Sequence, residues 1–303
     1  MSATDKHSTL SVLTIEADLA GAGDVSEHIR DLLKREPVEL SRPGCERVWL
    51  EIYFNNANEA ILAGELLKSR FPDHEMSIRP CRSRDWTIYW RHHFKPVKIG
   101  KRLLVCPVWD SERVRDGERL VVLINPGLSF GTGDHFTTRF CLEMIDLLGE
   151  GRAPESFLDV GCGSGILAIA AALLGVKRVA GIDNDEQCIS QSAKNAGLNG
   201  VGERIEWITD SIENGSGRLQ SGRPTTGSFD VVCANLYASL LVDIAPVLYR
   251  FSSRYLILSG IRDIETDAVS EAYVQLGARE ITRDCDGEWS GLLLDVSPHD
   301  KTF

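Results

Sequence analysis

The 303-residue sequence lacks the features of a membrane protein, a secreted protein or a disulfide-stabilised scaffold. No apolar run approaches the roughly 18 residues of a membrane-spanning helix, and the N-terminal residues contain no apolar core of a signal peptide. The eight cysteines are scattered singly without a Cys-x-x-Cys pair, so neither a zinc site nor a disulfide framework is predicted. These absences predict a cytoplasmic protein with no metal and no membrane contact.

Positive charge is also scarce, because 33 Lys and Arg residues stand against 44 Asp and Glu residues, for a net charge of −11. Wide nucleic-acid contact depends on Lys and Arg neutralising phosphates, so no direct nucleic-acid partner is predicted. A basic protein or an amine fits this charge, although acidity that only aids solubility fits it equally. The length allows two domains, and a monomer is expected.

The first 80 residues predict a small domain of their own. Apolar spacing gives the order strand, helix, strand, helix, strand, which indicates a ferredoxin-like α+β domain over residues 1–80. Substrate recognition and simple stabilisation are the two roles left open for it. A linker over residues 81–100 is predicted to follow. The stretch 82–109 is dense in aromatic and basic residues, which is typical of a contact surface or of a buried interdomain joint.

Strands and helices alternate through residues 101–303, the third predicted segment. This repetition predicts a doubly wound α/β fold with an open, mostly parallel sheet that binds ligands beyond the carboxyl ends of its strands. Polar residues that fall at or just beyond such ends are Asp159, Asp183, Asp210 and Asn235. Each alone could be a helix cap, but four in succession favour a binding site.

A strand, a glycine-rich turn and a helix are predicted in succession between residues 157 and 174. Gly161, Gly163 and Gly165 follow a short apolar run and let the backbone bend sharply beside a ligand. The N-terminal amides of the helix after them would face that ligand. The next strand ends in Asp183, where a carboxylate can accept both hydroxyls of a ribose.

The register of this turn distinguishes among nucleotides. A dinucleotide fingerprint would place a small residue at position 166, where the chain has Ile166. Asp159 lies at the end of a buried strand and needs a cation or donors, and the α-amino group of a methionine moiety supplies both. The pattern Asp-x-Gly-x-Gly-x-Gly, with an acid one strand later, resembles motifs I and II of class I S-adenosylmethionine-dependent methyltransferases. S-adenosylmethionine is therefore the predicted cofactor, and an NAD-dependent oxidoreductase is the alternative.

A second glycine-containing passage covers residues 125–138. Phe130, Gly131 and Thr132 lie in a predicted loop that can close over the cofactor. Thr138 lies where a helix begins, so its hydroxyl can donate to the same ligand. His135 is either a proton acceptor or a structural histidine that holds the loop.

Taken together, these residues resemble the PrmA family, the enzymes that methylate protein eleven of the large ribosomal subunit. The resemblance covers nearly the whole chain, and the Phe-Gly-Thr-Gly loop combined with motif I is its most specific part. Its other carriers are Asp85, Trp86, Trp90, Phe94, Pro96, Pro107, Trp109, Pro126, Gly127, Leu128, His135, Thr137, Thr138, Asp183, Ala234, Asn235, Leu236, Leu258, Ser259, Gly260, Ile261, Glu288 and Trp289.

By this resemblance, Thr138, Gly161, Asp183 and Asn235 would bind S-adenosylmethionine, and the N-terminal domain would present the ribosomal substrate. The chain departs from the family pattern at residues 134–136, at 236–237 and at 290, near the expected rim of the active site. Methylation of lysine in another protein and a non-catalytic S-adenosylmethionine-binding scaffold therefore remain alternatives.

Methyl transfer to nitrogen requires alignment more than a nucleophilic residue, since a sulfonium is already activated. The acceptor amine must be neutral, and a lysine with a pKa of about 10.4 is about 4.6 kcal/mol from that state at pH 7. The Asn235 side chain and the Leu236 carbonyl are predicted to point at the amine nitrogen and orient its lone pair.

Overall fold

The computed structural model describes residues 10–33, 35, 37–41, 47–54, 56–81, 95–111, 117, 119–125, 135–212 and 228–297. The chain forms two compact units, Met1–His93 and Phe94–Phe303. The division between them falls inside the predicted linker, residues 81–100.

The first unit is a four-stranded antiparallel sheet with two helices, and its strand order is β2-β3-β1-β4. Its elements are β1 (Leu10–Asp18), α1 (Ala22–Leu33), β2 (Val38–Ser41), β3 (Arg47–Phe54), α2 (Ala57–Arg70) and β4 (Met76–Cys81). The fully buried side chains of Ile15, Ile29, Leu50 and Leu67 bring both helices and the sheet into one core. The order βαββαβ confirms the ferredoxin-like domain and adds β2, a short strand that the sequence prediction omitted.

The second unit is built on a seven-stranded sheet with the order β10-β9-β8-β11-β12-β14-β13. In this order the first five strands, β10-β9-β8-β11-β12, are parallel, and β14 runs antiparallel to its two neighbours, β12 and β13. The strands are β8 (Ser156–Val160), β9 (Arg178–Asp183), β10 (Ile205–Thr209), β11 (Phe229–Asn235), β12 (Ser252–Arg262), β13 (Arg279–Cys285) and β14 (Trp289–Asp295). The helices are α3 (Phe136–Leu148), α4 (Ile166–Leu173), α5 (Glu186–Leu198), α6 (Ala238–Asp243), α7 (Ala245–Phe251) and α8 (Thr266–Val274).

Helices cover both faces of this sheet, which confirms the predicted doubly wound class I methyltransferase architecture. Leu158 and Val160 of β8 belong to a core cluster that includes residues of α6, α7 and α8. Side chains alternate along a strand, so Asp159 between them points to the opposite face, where it contacts α4.

A separate three-stranded sheet comes before the large one in the chain: β5 (Val97–Ile99), β6 (Leu103–Pro107) and β7 (Leu120–Ile124), with β7 at one edge. Strands β5 and β6 fall within residues 82–109, the stretch dense in aromatic and basic residues, where no strand was predicted. The buried Asp146 carboxylate of α3 holds the turn between them, since it accepts from Lys101 N at 2.7 Å and from Arg102 Nε at 2.7 Å. The Arg102 guanidinium also donates to the Gly149 carbonyl at 2.9 Å, which fastens this sheet to the end of α3.

Within the described ranges, no helix is long and apolar enough to cross a membrane. No cluster of three or more His, Cys, Asp or Glu side chains suited to a metal ion occurs among those same residues.

Candidate active site

The turn between β8 and α4 has the backbone that its glycines predict. Gly161, Gly163 and Gly165 all have positive φ angles, of 71°, 53° and 79°. A Cβ atom on Gly165 would also lie 2.8 Å from the Ser192 Cβ atom, and one on Gly161 would lie 2.6 Å from a Leu236 methyl group. Only glycine combines this conformation with such close packing.

Asp159 is fully buried beneath this turn and is only half satisfied. Its Oδ2 atom accepts from Ala168 N at 3.2 Å, whereas Oδ1 has no hydrogen-bond partner among the described residues. Burial raises the pKa of Asp159 to about 7; the Ala168 N–H opposes this rise, and the nearby charge of Asp183 adds to it. A buried carboxylate oxygen without a donor suits a cationic ligand group, such as the α-ammonium of a methionine moiety.

Asp183 closes the same site from the end of β9. Its Oδ2 atom accepts from Gly163 N at 2.9 Å, and its Oδ1 atom accepts from Asp185 N at 3.0 Å. Each oxygen keeps acceptor capacity for a ligand hydroxyl. The neighbouring strand β10 brings Asp210 beside it, because Asp210 N donates to the Asp183 carbonyl at 3.0 Å.

The start of α3 meets the end of β11 at the next part of the site. Asn235 Nδ2 lies 3.3 Å from Thr137 Oγ1 and 3.5 Å from Thr138 Oγ1, and both threonines are buried. His135 is the N-cap of α3: its Nδ1 atom accepts from Thr137 N at 3.4 Å, and its ring packs edge-on against Trp289 at 5.3 Å. These contacts favour the structural interpretation of His135 over the proton-acceptor interpretation.

The two groups predicted to orient the acceptor amine lie side by side. Gly260 sits at a bulge in β12 with φ of 81°, and a Cβ atom there would lie 2.6 Å from the Leu236 carbonyl oxygen and 2.9 Å from Asn235 Oδ1. Leu236 N donates to the Ser259 carbonyl at 2.9 Å, which fixes the direction of this segment. Two hydrogen-bond acceptors are therefore held close together at the carboxyl end of β11.

The structure thus brings most of the predicted site to the carboxyl edge of the sheet. The residues placed there are His135, Thr138, Asp159, Gly161, Gly163, Gly165, Asp183, Asp210, Asn235 and Leu236. Phe130, Gly131 and Thr132 fall in residues 126–134, outside the described part of the chain, and so do the predicted contact residues 82–94.

Two buried polar residues of α5 also contact the glycine turn, and they are not among the residues predicted from sequence. Ser192 Oγ donates to the Gly163 carbonyl at 2.9 Å, and Asn195 Nδ2 donates to the Ser164 carbonyl at 2.9 Å. The sequence contains only a weak signal for these residues. Ser192, Asn195 and Asn199 form a polar stripe at spacings of three and four residues, and such a stripe usually indicates a solvated helix face.

The site fits S-adenosylmethionine by its own chemistry. An unpartnered buried carboxylate oxygen, a second carboxylate at the next strand end and a turn leading into a helix N-terminus match the ammonium, ribose and carboxylate groups of this compound.

Comparisons with known proteins agree with this geometry. Residues 9–296 match the family model described as ribosomal protein L11 methyltransferase (PrmA). Among similar proteins, the ribosomal protein L11 methyltransferase of Pectobacterium atrosepticum is 41% identical over 249 residues, which cover 78% of this chain and 79% of the relative. The one from Geotalea daltonii is 34% identical over 301 residues, covering 93% and 92%. The crystal structure of a ribosomal protein L11 methylase from Lactobacillus delbrueckii subsp. bulgaricus superimposes with a TM-score of 0.58 at 28% identity, over 66% of this chain and 98% of that one.

Proposed function

The chain belongs to the ribosomal protein L11 methyltransferase (PrmA) family, and from this membership we propose that it transfers methyl groups from S-adenosylmethionine to amines of ribosomal protein L11. The acceptors proposed are lysine side chains and the N-terminal amine. The observation that supports cofactor binding most strongly is the unpartnered Asp159 oxygen, because its burial is costly unless a cationic ligand offsets it.

The proposed cofactor contacts follow from the groups that the site leaves available. Asp159 Oδ1 would accept from the α-ammonium, and Asp183 would accept from the ribose hydroxyls. The turn of Gly161, Gly163 and Gly165 would lie against the methionine portion, and Thr138 would add a hydroxyl beside it. When bound, S-adenosylmethionine supplies a methyl group that is already activated on a sulfonium.

The protein's task in the reaction is to align a neutral amine. Asn235 Oδ1 and the Leu236 carbonyl oxygen, which lie together against Gly260, would accept from the N–H groups of the amine and leave its lone pair facing the methyl group. Desolvation in the site favours the neutral amine and lowers the cost of about 4.6 kcal/mol that a lysine pays at pH 7. His135 acts as a helix cap in this scheme.

We assign substrate recognition to the N-terminal domain, residues 1–80. Ile61, Leu62 and Leu66 on α2 are exposed at 45%, 67% and 45%, an apolar surface that a protein partner could cover. Leu62→Ser should raise the KM for ribosomal protein L11 several-fold while the Kd for S-adenosylmethionine is unchanged. An unchanged KM would argue for a purely stabilising role of this surface.

The cofactor assignment is tested by calorimetry on a matched pair of variants. Asp183→Asn should weaken S-adenosylmethionine binding about hundredfold, because it removes charge-assisted hydrogen bonds to the ribose. Asp185→Asn is the control, since the exposed side chain of Asp185 caps α5 by accepting from Gln187 N, while the hydrogen bond from its backbone N–H to Asp183 is kept in the variant. Equal affinity in both variants would refute the assignment of Asp183.

The acceptor is tested by mass spectrometry of ribosomal protein L11 incubated with the purified chain and S-adenosylmethionine. We expect methyl groups on lysine or on the N-terminal amine. Methylation of another protein in a whole proteome, with ribosomal protein L11 left unmodified, would overturn the proposed substrate. Tight cofactor binding without any product would instead support the scaffold alternative.

A further inference from the structure

We infer that Ser192 and Asn195, two buried residues of α5, are positioning residues that set the shape of the cofactor turn. This inference rests on the proposed function of that turn. Neither side chain has any exposed surface, so neither can touch a ligand without a rearrangement of the site. Their role is therefore to act through the backbone that they hold.

Asn195 uses its whole amide group to join three segments of the chain. Its Nδ2 atom donates to the Ser164 carbonyl at 2.9 Å and to the Asn125 carbonyl at 3.2 Å. Its Oδ1 atom accepts from Asn125 N at 3.1 Å. The amide therefore fixes the turn relative to Asn125, the residue that directly follows β7.

Ser192 holds the preceding carbonyl of the same turn. Its hydroxyl donates to the Gly163 carbonyl at 2.9 Å, while Gly163 N donates to Asp183 Oδ2 at 2.9 Å. The carbonyl groups of residues 163 and 164 thus both accept from side chains of α5. The amide of Gly163 donates to Asp183, the residue proposed to bind the ribose. A change in α5 would shift the turn and the Asp183 carboxylate together.

This arrangement is sensitive because the Ser164 carbonyl and the Asn195 amide that donates to it are both buried away from water, and the Gly163 carbonyl is partly buried. A carbonyl that loses its donor in such a place either stays unsatisfied or moves to find another donor. Gly163 and Gly165 have left-handed φ angles, and because glycine lacks a Cβ atom their backbone can change conformation easily. The side chains of α5 therefore supply the rigidity that the glycines lack.

Asn199, one helical turn further along the chain at the C-cap of α5, provides a matched control. Its Oδ1 atom accepts from Leu123 N at 2.8 Å, and its Nδ2 atom donates to the carbonyls of Leu123 at 2.7 Å and Asn195 at 2.8 Å. Asn195→Asp and Asn199→Asp each remove two donated hydrogen bonds without changing side-chain shape. Only the first removes a bond to the glycine turn.

The experiment measures the Kd and KM for S-adenosylmethionine, kcat at saturating cofactor, and the melting temperature of each full-length variant. Asn195→Asp should raise both Kd and KM about tenfold, with kcat nearly retained. Asn199→Asp should leave both constants within about twofold of wild type, although the melting temperature falls in both variants. Ser192→Ala, a smaller deletion, should weaken cofactor binding several-fold while the protein remains folded.

A lower melting temperature with unchanged Kd in both Asn195→Asp and Ser192→Ala would overturn the inference, since it would show that α5 only stabilises the fold. If Asn195→Asp fails to fold, the Kd of Ser192→Ala decides the question alone. Wild-type protein that does not bind S-adenosylmethionine would overturn the proposed function, and this inference with it.

Discussion

Replacing Asp159 with asparagine should make the unliganded protein more stable at pH 8 while removing most of its affinity for S-adenosylmethionine. The asparagine side chain would keep the shape of the aspartate and the acceptor for Ala168 N, but it would carry no charge. The wild-type carboxylate is fully buried, and its Oδ1 atom has no partner among the described residues. Its charge therefore opposes folding until a ligand arrives.

The size of this effect follows from the pKa of Asp159, which burial raises from its usual 3.8 to about 7. The folded state binds this proton more tightly than the unfolded state, so stability falls as the pH rises from about 4 to about 7 and then levels off. The full loss is about 4 kcal/mol, of which about 3 kcal/mol falls between pH 5 and pH 8. The asparagine variant lacks this loss. In the variant, the asparagine NH2 group takes the place of Oδ1 and finds no acceptor, which lowers the free energy of unfolding by about 1–3 kcal/mol at every pH.

The assay is urea unfolding of both unliganded proteins at pH 5, 6, 7 and 8, followed by circular dichroism. All other titrating groups are common to the two proteins, so the difference between their unfolding free energies isolates Asp159. That difference should change by about 3 kcal/mol in favour of the variant from pH 5 to pH 8. Parallel pH profiles would refute the reasoning, because they would show that the carboxylate is stabilised without a ligand.

Three further predictions concern Asp159, Asp146 and Gly260. Wild-type affinity for S-adenosylmethionine should fall about tenfold from pH 8 to pH 6 in calorimetry, because protonated Asp159 must release its proton to bind an ammonium; constant affinity would contradict this. Asp146→Ala should lower the free energy of unfolding in urea by about 3 kcal/mol, since it removes the buried partner of Arg102. A loss below about 1 kcal/mol would contradict this role of Asp146. Gly260→Ala should lower kcat at least tenfold, because its Cβ atom would displace the Leu236 carbonyl oxygen and Asn235 Oδ1. The control is Gly287→Ala, where φ is also positive but the Cβ atom meets nothing within 4 Å, so kcat should not change.

The part of the site that could be predicted from sequence is the part that local geometry dictates. The positions of Asp159 and Asp183 follow from strand ends, and the glycines between them follow from a turn that no other residue can form. The second helix predicted for the first 80 residues, Ala57–Arg70 in the structure, is likewise marked by local signals, namely apolar spacing and the Asn56 cap. These features depend on neighbours in the chain.

Features that depend on distant partners were missed. Strands β5 and β6 are three and five residues long, and the pairing of β6 with β7 involves a segment more than ten residues away. A local feature was also not predicted: residues 238–251 form two helices that meet at Ile244, because Pro246 begins a new helix and cannot continue the first. Asn195 was missed for the same reason as the short strands, since its partners belong to two other segments.

The Asn195 and Asn199 amides have a further consequence for β7, which lies at the edge of its sheet. Leu123 and Asn125 would otherwise present free N–H and carbonyl groups, the template on which a strand from another molecule adds. The two amides occupy these groups in the manner of a neighbouring strand. A helix thereby shields this edge from intermolecular β-pairing, and the same side chains that order the cofactor turn also guard against aggregation.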